Sequence, residues 1–68
     1  METYKLTLVF EDGDTWVLSI QTNLVNFDDL QDFFKTKIIS SVDTTELKSA
    51  YSQNENDNSS EKTLICIN

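Results

Sequence analysis

Thr3-Tyr4-Lys5-Leu6-Thr7-Leu8-Val9-Phe10-Glu11-Asp12-Gly13-Asp14-Thr15-Trp16-Val17-Leu18-Ser19-Ile20-Gln21 is the stretch that decides the fold. Large apolar side chains stand at Tyr4, Leu6, Leu8 and Phe10, and again at Trp16, Leu18 and Ile20. A period of two in both runs is the mark of strands with one buried face. The acidic break between them holds the chain's only glycine. A two-residue Asp12-Gly13 turn would set Val9 opposite Trp16 and throw the two apolar sets onto opposite faces of the sheet. A three-residue loop, Glu11-Asp12-Gly13, sets Leu8 opposite Trp16, Leu6 opposite Leu18 and Tyr4 opposite Ile20. The third residue of such a loop sits in the left-handed region, where glycine is favoured. Both constraints select the three-residue loop. Gly13 is therefore a backbone requirement rather than part of a binding loop.

The reverse face of this hairpin carries Lys5, Thr7, Val9, Thr15, Val17 and Ser19. It is polar with a β-branched lean, suited to solvent or to a second, weaker contact surface.

Beyond the hairpin the period changes. Asn26 is a good helix N-cap, Asp29 follows three residues later as in a capping box, and Val25 and Leu30 occupy the staple positions. Phe27, Leu30, Phe34 and Ile38 form one apolar stripe with Phe33 at its edge, so an amphipathic helix is expected. Asp28, Asp29 and Asp32 project from the opposite side near the positive end of the helix dipole. Lys35 and Lys37 lie toward its negative end.

From Asp43 to Ser52 two readings compete. Asp43 with Glu46 forms a cap pair, Val42 with Leu47 a staple, and Leu47, Ala50 and Tyr51 keep helical spacing. Thr45, Leu47, Ser49 and Tyr51 also alternate as a strand does. A helix of this length is marginal, and the Thr63–Ile67 run reads as a strand in need of a neighbour. The strand reading is preferred. Asn54-Glu55-Asn56-Asp57-Asn58-Ser59-Ser60 then becomes a polar connecting loop. Leu64-Ile65-Cys66-Ile67 is apolar on both faces. The helix covers one side, whereas the other, with Val9 and Val17, has no cover within the chain. The expected fold class is α+β: a small antiparallel sheet in the order ββαββ, or ββααβ if residues 43–52 are helical, with one amphipathic helix on one face.

Composition bounds the function. The 68 residues include twelve acidic and five basic ones, all lysine, for a net charge of −7, with no histidine, no proline and one cysteine. One small domain fits this length, and a chain of this size buries only about 60% of its unfolded surface. Nucleophilic triads need histidine, and phosphoryl transfer uses glycine-rich loops and arginine. Two carboxylates can hydrolyse glycosides, but a domain this small does not enclose a sugar-sized cleft. An enzyme is not expected, and no cofactor is called for.

Asn54, Asn56 and Asn58 imitate early calcium-loop ligands. The loop's glycine is missing, and Ile65 stands where the closing glutamate belongs, so no metal site is expected. The sequon Asn58-Ser59-Ser60 carries no weight without a secretion signal. Cys66 reads as a small core residue, since no histidine or arginine is present to activate a thiol. Neither a basic leader with an apolar region nor a run of about 20 apolar residues is visible, and a cytoplasmic location is the expectation.

A surplus of acid disfavours direct contact with nucleic acid or anionic membrane and favours basic protein surfaces. The leading expectation is a small acidic protein-binding module, an inhibitor or adaptor that occupies a partner protein's basic surface. Asp28, Asp29 and Asp32 are the first candidate contacts, and Glu11, Asp12 and Asp14 the second. Short acidic chains without arginine or proline and rich in Asn, Lys and Ile are often encoded by AT-rich genomes, phages and mobile elements included. Nucleic-acid mimicry is a narrower form of the same reading. The alternative is a structural protein that assembles as a homodimer or larger homo-oligomer through a sheet edge or the uncovered sheet face.

Overall fold

A computed structural model describes residues 1–56, 61–65 and 67. Strand β1 runs Glu2–Phe10 and β2 Thr15–Thr22; helix α1 spans Phe27–Ser41; a 3-10 turn at Thr44–Glu46 leads into β3, Leu47–Asn54, and β4 is Thr63–Leu64. The strands form one antiparallel sheet in the order β2-β1-β3-β4. This is the expected α+β class in its ββαββ form. Since β2 and β3 both run antiparallel to β1, they are parallel to each other, and α1 carries the chain from one to the other across the central strand. That arrangement is a split β-α-β unit.

The hairpin forms in the three-residue register. Tyr4 pairs with Ile20, Leu6 with Leu18 and Leu8 with Trp16. Phe10 donates its amide to the Asp14 carbonyl at 2.9 Å, Gly13 donates to the Phe10 carbonyl at 3.0 Å, and Gly13 has φ +94°. Asp12 tightens the loop by accepting the Asp14 amide at 3.0 Å.

Leu6 and Leu8, Phe34 and Ile38, Ala50 and Ile65 make the buried core, supplied by β1, α1, β3 and the residue after β4. Central β1 gives the fully enclosed leucines, whereas Leu18 and Ile20 on outer β2 are only half-buried. The Phe34 ring lies 5.2 Å from that of Tyr4 and 6.2 Å from that of Phe33. Gln31 donates from Nε2 to the Leu64 carbonyl at 3.4 Å. The helix thus sits over β1, β3 and the β4 side; on β2, Leu18 and Ile20 pack against the same core, and the Trp16 end of that face stays exposed.

Asn26 caps α1 as expected, accepting the amides of Asp28 at 2.9 Å and Asp29 at 3.2 Å. Two expectations for this region are corrected. Phe27 is 62% exposed rather than part of the buried stripe, and Val25 is 88% exposed, so no staple forms. The contact of α1 with the core begins at Leu30, one turn in. The first turn stands clear of the sheet, held by its polar cap.

Residues 43–52 draw on both sequence signals. Asp43 caps only the 3-10 turn, accepting the Thr45 amide at 2.9 Å, and Leu47 begins a strand. The alternation of Leu47, Ser49 and Tyr51 does not mark one face, which corrects the sequence reading. Val9 pairs with Ser49 but Phe10 with Leu47, so Lys48 is the extra residue of a β-bulge. Beyond the bulge, Ala50 and Ser52 turn to the core beside Leu8 and Leu6, and Tyr51 turns outward beside Thr7. A bulge shifts every later side chain to the other face, which a period of two cannot register.

Among the described residues of the expected Thr63–Ile67 strand, Thr63 and Leu64 form the ladder pairs, and Ile65 donates to the Ala50 carbonyl at 2.8 Å. Ile65 is 3% exposed and Leu64 57%, matching the expectation of one covered side and one bare side. Asp57 to Ser60, Cys66 and Asn68 lie outside the described residues, and with them the thiol, the sequon and Asn58 of the calcium-loop pattern. No helix of the described chain is long and apolar enough to cross a membrane.

Candidate functional site

Strand alternation places Trp16 on the helix-side face of β2, the part of that face α1 does not reach. Trp16 remains 53% exposed, its ring edge-on to Phe10 at 5.8 Å between centroids. The chain leaves α1 at Ser41 and turns through Val42 and Asp43 beside these rings. An open groove of about 460 Å³ results, lined by Phe10, Trp16, Ser41, Val42, Asp43 and Glu46. On the loop side of Trp16 a smaller concavity of about 160 Å³ adds Asp12 and Asp14 to its wall. Glu11 donates its amide to the Glu46 carbonyl at 2.8 Å, which ties the hairpin loop to the 3-10 turn.

Five carboxylates therefore gather at the hairpin-tip end: Glu11, Asp12 and Asp14, expected from the sequence, and Asp43 and Glu46, whose sequence pattern signals only a cap pair. Hydrogen bonds from the Thr45 side chain and backbone hold the Asp43 carboxyl below its ordinary value, favouring its charged form. The helix trio is also exposed, but elsewhere. Strand β2 runs away from the hairpin loop, and α1 starts beyond its far end, so Asp28, Asp29 and Asp32 occupy the end of the molecule opposite the tip. The two candidate trios are not brought together. The sequence marks Trp16 only as an apolar hairpin residue. Its exposure follows from β2 lying at the sheet edge, and strand order is not a property of that segment, so no signal in the sequence marks it.

Chemically, the groove combines an aromatic wall with an anionic rim. Such a surface suits a guanidinium or ammonium group, which gains from the ring face and from the surrounding carboxylates. Among the described residues, no group of three His, Cys, Asp or Glu side chains is placed to hold a metal ion. No protein-family model, curated protein or solved structure matches the chain.

Proposed function

We propose that the chain is a small acidic protein-binding module, an inhibitor or adaptor that works by occupying the basic surface of a partner protein, with the hairpin-tip groove as its main contact. One observation carries the reading: a half-exposed Trp16, backed by Phe10, opens onto a groove rimmed by Asp12, Asp14, Asp43 and Glu46. Exposed tryptophans beside partly closed grooves are the anchors that dominate many interfaces, and rim charges set association rate and salt dependence. The helix trio becomes a separate, secondary anionic surface. Mimicry of nucleic acid, a narrower form of this reading, would need the separate acidic groups to line up at phosphate-like spacing, and the grouping of carboxylates around Trp16 supports the groove-centred form.

The test is binding of the full chain to a basic protein captured from the native host, followed with purified components. Trp16→Ala is expected to weaken binding at least about thirtyfold, the scale of a hot-spot residue. Raising salt from 50 to 500 mM should weaken it further, and Asp28→Lys/Asp29→Lys/Asp32→Lys should matter less than Asp12→Lys/Asp14→Lys. Binding indifferent to both Trp16→Ala and salt would overturn the reading, as would tight retention of naked DNA or RNA.

A further inference from the structure

We infer that the outer edge of β2 is a docking rail for an extended, basic segment of the partner, added to the sheet as a fifth strand. The inference rests on the basic-partner reading above and deepens it by naming the form in which that partner binds.

The sheet has two edges, and they are built differently. At one, β4 contributes only Thr63 and Leu64 among the described residues. Shortness is one of the ordinary ways a protein blunts an edge. At the other, β2 is eight residues long, Thr-Trp-Val-Leu-Ser-Ile-Gln-Thr, and its pairing with β1 runs from Thr15 to Thr22 without a register shift. It carries no charge, no proline and no bulge, the remaining devices that discourage pairing.

The direction of its free groups follows from the register. Phe10 donates its amide to the Asp14 carbonyl at the closed end of the ladder, and bonded positions alternate along the antiparallel pair from there. Trp16, Leu18, Ile20 and Thr22 therefore direct their backbone groups to β1. Thr15, Val17, Ser19 and Gln21 direct theirs outward. Side chains flank this row of donors and acceptors on both faces, with Trp16 53% and Val17 57% exposed. Main-chain bonds along an edge supply affinity, and side-chain contacts on alternate faces supply selectivity.

Charge selects the occupant. Glu11, Asp12 and Asp14 lie at one end of the uncharged strand, and Asp28 and Asp29 open α1 just past the other. A strand laid along β2 has a neutral centre and acid beyond both of its ends. The complementary segment is extended, neutral in the middle and basic at its termini. A second copy of this chain would bring its own acidic ends against these, at a net charge of −7 each.

The experiment titrates the full chain with the peptide Lys-Lys-Thr-Val-Thr-Val-Thr-Lys-Lys and with its counterpart bearing glutamates for lysines, read by amide chemical shifts and hydrogen exchange. The lysine-ended peptide is expected to bind and to slow exchange at Thr15, Val17, Ser19 and Gln21; the glutamate-ended peptide should not. Ser19→Pro removes one outward donor and spares the β1 ladder. It should weaken the lysine-ended peptide about tenfold, as loss of one main-chain bond with its neighbours disturbed would. Val17→Lys, which keeps every backbone group, should weaken it by charge alone.

Shifts confined to Glu11, Asp12 and Asp14, without edge protection and without an effect of Ser19→Pro, would overturn strand addition while leaving the basic-partner reading standing. Equal protection by both peptides would overturn the basic occupant, and with it that reading. Edge protection that rises with protein concentration in the absence of peptide would overturn the proposal in favour of a second copy. So would failure of the lysine-ended peptide to bind at millimolar concentration.

Discussion

The β1–β2 hairpin and the β3–β4 pair belong to one sheet but are held by different means. Eight residue pairs join β1 to β2, and the intervening loop positions its own glycine. Among the described residues two pairs join β3 to β4, across an intervening segment that is longer and polar, and β3 itself carries a bulge where it pairs with β1. In the first case loop chemistry and apolar alternation demand the same register, so local forces suffice. In the second, the register is set by what lands in the core, Ala50 and Ile65. Closing the longer segment also costs more entropy for fewer bonds. A small sheet can therefore hold one half by local consistency and the other by burial alone.

The largest expected effect separates burial from strand pairing. Leu8 is fully buried at the centre of the sheet and Leu64 is 57% exposed on the bare face. Leu8→Ala should cost ~2–5 kcal/mol in urea unfolding, much of the ~3–10 kcal/mol expected for a chain this size. Leu64→Ala should change stability by less than about 0.5 kcal/mol. Equal losses would show that the bare face is covered in solution and would break the contrast between the two halves.

An intermediate effect sharpens the claim that the hairpin is locally encoded. A Cβ at Gly13 would meet nothing within 4 Å, so the cost of Gly13→Ala is the backbone strain of φ +94° alone. That strain should destabilise the fold by ~1–2 kcal/mol while leaving the Leu8–Trp16 pairing detectable by nuclear Overhauser contacts. A neutral substitution would mean that the core, rather than the loop, selects the register.

The smallest effect tests the junction between the halves. Thr45 stabilises the charged Asp43 carboxylate, so its folded-state value lies below the ordinary 3.8. The group's contribution to stability is present above the unfolded value and is lost as pH falls through the lower folded one. Titration of the Asp43 carboxyl carbon by NMR should give a midpoint below 3.8, and Thr45→Val should raise it. A midpoint unmoved by Thr45→Val would remove this hydrogen bond from the account of the turn.

By itself the sequence determined the α+β class, the hairpin register, the Asn26 cap and the bare side at Leu64, because each is written in the period or chemistry of a few neighbouring residues. Tertiary structure alone decided the rest. The bulge at Lys48 reversed the facing of β3, and contact beginning at Leu30 left Val25 and Phe27 in solvent. The path out of α1 carried Asp43 and Glu46 to Trp16, and strand order set β2 at the rim with its outward backbone groups unpaired among the described residues. Periodicity reports which face a residue shares with its neighbours. Which faces and edges end up covered depends on contacts between segments far apart in the chain, and those are settled only when the core closes.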